Sequence, residues 1–165
     1  MGDDPAGATR PRPRGAAAWI AACFGVGFLR PAPGTWSSVA AAAPLLLLSD
    51  AAYPWSLAGG AALAYVASVA LARRLFGADA DRADPGWFTL DEACGVWIAA
   101  WRPAAPSLAG LALAVAFFRL FDVLKPPPIR GLQRARGGHG VVLDDAVAGV
   151  FALLASVAVE RLLGL

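Results

Sequence analysis

The stretch WSLAGGAALAYVASVALARRLF, residues 55–76, carries no charged side chain before Arg73 and Arg74 near its end. An apolar run of about 20 residues, coiled as a helix, matches the hydrocarbon thickness of a bilayer. Nothing in it alternates with the period of two that a half-buried strand needs. The same character returns in SLAGLALAVAFFRLFDVL (107–124) and AVAGVFALLASVAVERLLGL (146–165). It appears in shorter form in AAAWIAACFGVGFL (16–29), VAAAAPLLLL (39–48) and LDEACGVWIAAW (90–101). The fold class is therefore all-α, a membrane-embedded helical bundle with about five crossings, several of them short or broken. A soluble all-α bundle is the alternative, because apolar segments of about 10–14 residues also occur as buried core helices.

Composition favours the membrane reading. Only 16% of the residues are charged while 58% are hydrophobic, against about 25% charged in soluble domains. The formal net charge of +2 is too small to point to nucleic acid. The basic residues are clustered, however. MGDDPAGATRPRPRG (1–15) is expected to be a disordered basic tail rather than a secretory signal, with one helical domain over 16–165. Its arginines, Arg73 with Arg74, and the Lys125–Arg136 cluster would all face the cytoplasm by the positive-inside rule. Cys23 and Cys94 are isolated and imply neither a zinc site nor a disulfide framework.

Charge is expensive beside apolar helices, so the charged clusters are the informative positions. In RLFDVLK, Arg119, Asp122 and Lys125 are three apart and share one helical face, before Pro126–Pro128 end the helix. A simple intrahelical ladder would explain that spacing, but ionisable groups in such a setting are functional by default. In GGHGVVLDD, Gly137, Gly138 and Gly140 permit close backbone approach. Asp144 and Asp145 precede the last apolar run, and one of them suffices for an N-cap, leaving the other unexplained. In TLDEACG, Thr89 and Glu92 fit a capping box, which leaves Asp91 unexplained. In PAPGTWSS, a turn at Pro33–Gly34 opens a helix whose amides, with the hydroxyls of Thr35, Ser37 and Ser38, suit an anion.

Taken together, Asp91, Glu92, Asp122, Asp144 and Asp145 form an oxygen donor set suited to Mg²⁺. Arg119, Lys125, Arg130 and Arg134 are phosphate-binding cations expected at the same membrane face. Carboxylates, metal and basic groups at the cytoplasmic interface point to a phosphorylated lipid. Other phosphatase chemistries fit poorly. Cys23 and Arg30 are one residue too far apart for a cysteine phosphatase loop, and Ala100 stands where Cys94 would need an arginine. His139 is the single histidine, so histidine-paired metal sites are excluded. A transporter or ion-binding membrane protein with intramembrane carboxylates is the rival reading, although the chain lacks the internal repeat such folds carry. A soluble module that binds headgroups without catalysis is another.

The blocks PGTWSS, DEACGVWIA and FRLFDVLKPPPIRGLQRARGGHGVVLDDAVAG resemble those of the phosphatidylglycerophosphatase A family, over most of the chain from Gly25 to Gly149. The resemblance implies a Mg²⁺-dependent lipid phosphatase that converts phosphatidylglycerophosphate to phosphatidylglycerol in phospholipid biosynthesis. It implies residence in the bacterial cytoplasmic membrane, with the active site facing the cytoplasm. It makes Asp91, Glu92, Asp122, Lys125, Asp144 and Asp145 the catalytic core, all but Lys125 as metal ligands. Thr35, Ser38, Arg119, Arg130, Arg134, Gly137 and Gly138 become expected substrate-binding positions. The chain departs from the family pattern at Ser37, where glycine is usual, at Gln133, where an acidic residue is usual, and at Pro127, where an aromatic is usual.

Overall fold

The computed structural model describes residues 15–80 and 85–164. The expected tail, apart from Gly15, and residues 81–84 of the polar loop lie outside the described residues. Seven α-helices follow one another, with no strand among the described residues: α1 (Ala16–Ala21), α2 (Pro33–Ala42), α3 (Tyr53–Phe76), α4 (Leu90–Ala99), α5 (Leu108–Leu124), α6 (Ile129–Leu132) and α7 (Gly140–Leu163). Two 3₁₀ turns, Val26–Phe28 and Ala43–Leu47, break up the early apolar segments. Only α3 and α7 are long and apolar enough to cross a bilayer among the described residues. The α5 helix, with 17 residues, sits at the lower limit for a span, and the α4 helix, with 10, covers only about half the hydrocarbon core.

Helix boundaries follow local chemistry. Ser107 caps α5 by accepting a hydrogen bond from the Gly110 amide at 3.1 Å. The α3 helix ends at Gly77, whose φ of +56° suits glycine, with Arg73 and Arg74 in the last turn beside the negative end of the helix dipole.

At the centre lies α4, packed on α7, α3, α2 and α5. Leu57, Val96, Phe118, Ile129, Ala148 and Ala152 form the main core around it. Glycines set the spacing. A Cβ on Gly95 would strike the Phe118 ring and lie 2.8 Å from the Asp145 carbonyl oxygen, and one on Gly149 would come 2.5 Å from the Gly95 carbonyl oxygen. The α4 and α7 backbones therefore touch almost directly, the packing that small residues permit between apolar helices.

One end of the bundle is tied by a buried ion pair. The Arg102 guanidinium donates to Glu160 Oε1 at 2.9 Å, to Ser156 Oγ at 2.8 Å, and to the Ala99 and Trp101 carbonyls. From sequence, Arg102 reads only as the stop after α4. Its pairing joins that stop to the last turns of α7.

The opposite end collects the N-termini of α2, α4 and α7 with the C-termini of α3 and α5, and with them nearly every residue singled out from the sequence. Replacing Gly95 by alanine should cost about 1–3 kcal/mol through overpacking. Gly59→Ala, where a Cβ would meet nothing within 4 Å, should be neutral or stabilising by up to about 1 kcal/mol. Thermal unfolding of the two variants in detergent distinguishes these outcomes.

Candidate active site

Asp91 and Glu92 open α4, Asp122 lies in the last turn of α5, and Asp144 and Asp145 lie in the second turn of α7. Asp91, Asp122, Asp144 and Asp145 are only 5%, 8%, 3% and 4% exposed. Buried carboxylates require compensation, and two cations from the end of α5 supply it to Asp122 and Asp144 and to the partly buried Glu92. Arg119 Nη1 donates to Glu92 Oε1 at 3.1 Å and to Asp122 Oδ2 at 2.7 Å. Lys125 Nζ lies 2.5 Å from Asp144 Oδ2 and 3.6 Å from Asp122 Oδ1. The simple ladder along α5 is thus present, but each of its cations also reaches a neighbouring helix.

Lys125 occupies the C-cap of α5 with φ +43°, a left-handed conformation that glycine normally takes. A lysine there accepts backbone strain to place its ammonium on Asp144. Burial pulls the ammonium's pKa down, but the Asp144 hydrogen bond and the charges of Asp144, Asp145 and Asp122 outweigh it and raise the pKa above the usual lysine range. Lys125 is therefore protonated at neutral pH. The charges of Asp91, Asp122, Asp144 and Glu92 all act on Asp145, so the five acids share one electrostatic site.

The simpler readings of these acids do not describe what they do. Thr89 is the N-cap of α4 but makes no side-chain cap bond, and its Oγ1 instead accepts a hydrogen bond from Ser37 at 2.8 Å. Glu92 points to Arg119 and forms no capping box. His139 holds the N-cap position of α7, so neither Asp144 nor Asp145 is a cap. Asp91 Oδ1 accepts from the Glu92 amide at 3.0 Å. Cys94 is fully enclosed, and burial, reinforced by the Asp91 charge, pushes its thiol up to about 12, which removes it as a nucleophile.

The phosphate-binding expectations divide. Arg119 is at the centre of the site, and Thr35 is exposed on the first turn of α2 beside it. Ser38 is fully buried and donates its hydroxyl back to the Gly34 carbonyl at 2.8 Å. Arg130 and Arg134 are exposed on and just after α6, at the rim of the site's end. Gly137 and Gly138 both have positive φ and pack against α3, with Arg73 Nε donating to the Gly137 carbonyl at 2.6 Å. His139 joins the same tie through Tyr65 at 3.0 Å.

Two further residues belong to the site. Gln133 Nε2 donates to Asp144 Oδ2 at 3.0 Å, so the position with the unusual amide bears directly on a buried carboxylate. Gly34 meets the Glu92–Arg119 pair so closely that a Cβ would collide with Glu92 Oε1 and approach both guanidinium nitrogens within 3 Å. The Pro-Gly-Thr turn was the signal for Gly34, although it suggested a bend rather than a seat for a salt bridge.

Five oxygen donors against two cations leave an excess of negative charge, which fits a hard divalent cation. Among the described residues no three acids are gathered around one metal point, because Arg119 and Lys125 stand between the carboxylates.

The family model of phosphatidylglycerophosphatase A matches residues 19–160, which include every acid and cation of this site. The chain belongs to the phosphatidylglycerophosphatase A family. It is 33% identical over 144 residues to phosphatidylglycerophosphatase A of Haemophilus influenzae, covering 86% of each chain. It is 31% identical over 132 residues to the Escherichia coli phosphatidylglycerophosphatase A, covering 79% of this chain and 76% of the relative. A putative phosphatidylinositol-3-phosphatase of Bacteroides thetaiotaomicron is 33% identical over 144 residues, covering 79% and 85%. No solved structure matches. Family membership makes the protein an enzyme, a phosphatase acting on a phosphate monoester.

Because Gly34 leaves room for the Glu92–Arg119 pair, Gly34→Ala should lower phosphatase activity at least tenfold. Helix propensity alone would make the same change stabilising by about 1 kcal/mol. Phosphate release measured beside a thermal melt separates the two effects.

Proposed function

We propose that the protein is a Mg²⁺-dependent phosphatase that hydrolyses phosphatidylglycerophosphate to phosphatidylglycerol at the cytoplasmic face of the bacterial inner membrane. The observation that carries this reading is the gathering of four buried acids and the partly buried Glu92 from α4, α5 and α7 at one end of an apolar bundle, where Arg119 ties Glu92 to Asp122 and Lys125 ties Asp122 to Asp144. Two relatives bear the name of that activity.

The membrane assignment rests on surface and charge. Large apolar side chains lie bare along the bundle, among them Leu63, Val66, Val123 and Leu154, each at least 65% exposed. A bilayer would cover them. Arg30, Arg73, Arg74, Lys125, Arg130, Arg134 and Arg136 fall at the site's end, whereas the far end has Arg161 and the paired Arg102. The positive-inside rule then turns the site to the cytoplasm.

Asp91, Glu92, Asp122, Asp144 and Asp145 are the side chains that would hold Mg²⁺. When bound, the cation supplies Lewis-acid polarisation of the phosphoryl group. Arg119 orients the phosphate: Nη1 is held by Glu92 and Asp122, while Nε is buried with no partner among the described residues. Lys125, fixed in its protonated form, offsets charge that builds on the phosphoryl oxygens. Both cations are now spent on carboxylates, and substrate with metal would exchange those partners. Gln133 holds Asp144 in orientation without adding charge.

Phosphate release from phosphatidylglycerophosphate, with Mg²⁺ and with chelator, tests the reading. Wild-type protein should need the metal, and Asp145→Asn should lose at least a hundredfold in rate while keeping its helicity. Chelator-resistant release would remove the metal from the account. Faster release from phosphatidylinositol 3-phosphate would reassign the substrate.

A further inference from the structure

We propose that the apolar groove between α2 and α5 seats an acyl chain of the lipid substrate, so that the enzyme reads its substrate by chain as well as by phosphate. This rests on the phosphatase reading above. The groove has a volume of about 430 Å³. Ala112 and Ala116, four residues apart on one face of α5, line it together with Val39, Leu46, Leu108 and Val115. At one end stand Thr35 and Arg119, and the same Arg119 holds Glu92 and Asp122. The groove therefore runs directly into the carboxylate site.

Its dimensions suit a chain held in one leaflet. At about 1.5 Å per helical residue, Leu108 to Arg119 spans about 16 Å, close to half of the roughly 30 Å hydrocarbon core. Val39, Leu46 and Leu108 are 50%, 54% and 70% exposed although large and apolar, and no element among the described residues covers them. A free phosphate ion would use the charged end and leave this length bare. An apolar solute would fill the length and leave Arg119 unused. A phospholipid with a terminal phosphate has both parts joined in the order the groove presents them.

The test compares the wild type with Ala112→Trp and the milder Ala112→Leu. The full chain is reconstituted in phosphatidylcholine vesicles. Substrates are dibutyryl, dihexanoyl, dioctanoyl and didecanoyl phosphatidylglycerophosphate, together with the deacylated headgroup phosphate. Wild-type kcat/KM should rise along the series by up to about fourfold per buried methylene. Ala112→Trp should flatten that rise and cut the didecanoyl value at least tenfold. Turnover of the deacylated substrate should stay within twofold of wild type, and Ala112→Leu should fall between.

A variant profile that parallels wild type along the whole series would overturn the groove, since ordinary bilayer lipid resting there would not respond to the substrate's chain. An equal loss on lipid and headgroup would overturn it as well. A wild-type protein that is active but indifferent to chain length removes the groove alone. One that releases phosphate from no member of the series removes the phosphatase reading itself.

Discussion

Placing carboxylates inside an apolar bundle is the cost around which this fold is arranged. An isolated ionised group in such surroundings is strongly disfavoured, yet Asp91, Asp122, Asp144 and Asp145 are all buried. Arg119 and Lys125 offset that cost at Asp122 and Asp144, and in doing so bridge α5 to Glu92 of α4 and to α7. Breaking such a pair is far more damaging than its net contribution to stability suggests, because the surviving partner is left buried and alone. The ion pairs thus serve registry. They fix which turns of three helices face one another, and they leave an excess of negative charge at the point where they meet.

Glycine contact makes the registry possible. Gly34 lets α2 approach the Glu92–Arg119 pair, and Gly95 brings α4 against the Asp145 carbonyl and Phe118. At the far end, Arg102 with Glu160 and Ser156 clamps α4 to α7 again. The helix pair that carries four of the five acids is held at both ends and in direct backbone contact between them. A site that must oppose the charge of a phosphate ester gains from such rigidity, because preorganised groups need not reorganise during the reaction.

Much of this was legible in the sequence. Long apolar runs without alternation gave the all-α class, and the excess of carboxylates over what capping needs marked the acids. Capping itself misled in detail. Thr89 and Glu92 have the spacing of a capping box, but the Thr89 hydroxyl is taken by Ser37 and Glu92 by Arg119. Asp144 and Asp145 precede the last apolar run, yet α7 begins at Gly140, whose amide donates back to the Ala135 carbonyl at 3.2 Å, with His139 at the N-cap position. The Gln133–Asp144 and Arg102–Glu160 contacts join residues 11 and 58 positions apart, and no local pattern encodes that. About five crossings were expected from apolar content, whereas two helices among the described residues have the length, because Pro44 and the Ala22–Gly25 turn divide the early segments into short pieces.

The central claim is the proposal that the shared carboxylate site binds a divalent cation, which would displace Arg119 and Lys125 from the carboxylates and leave both for the substrate phosphate. The most direct measurement is Mn²⁺ binding by electron paramagnetic resonance on the purified full chain, with and without inorganic phosphate and with Mg²⁺ as competitor. The account predicts binding that phosphate strengthens and Mg²⁺ displaces, weakened at least tenfold by Asp91→Asn and by Asp145→Asn in variants of unchanged helicity. Binding of equal strength in those variants, or none in a wild-type protein that hydrolyses its substrate, would contradict it.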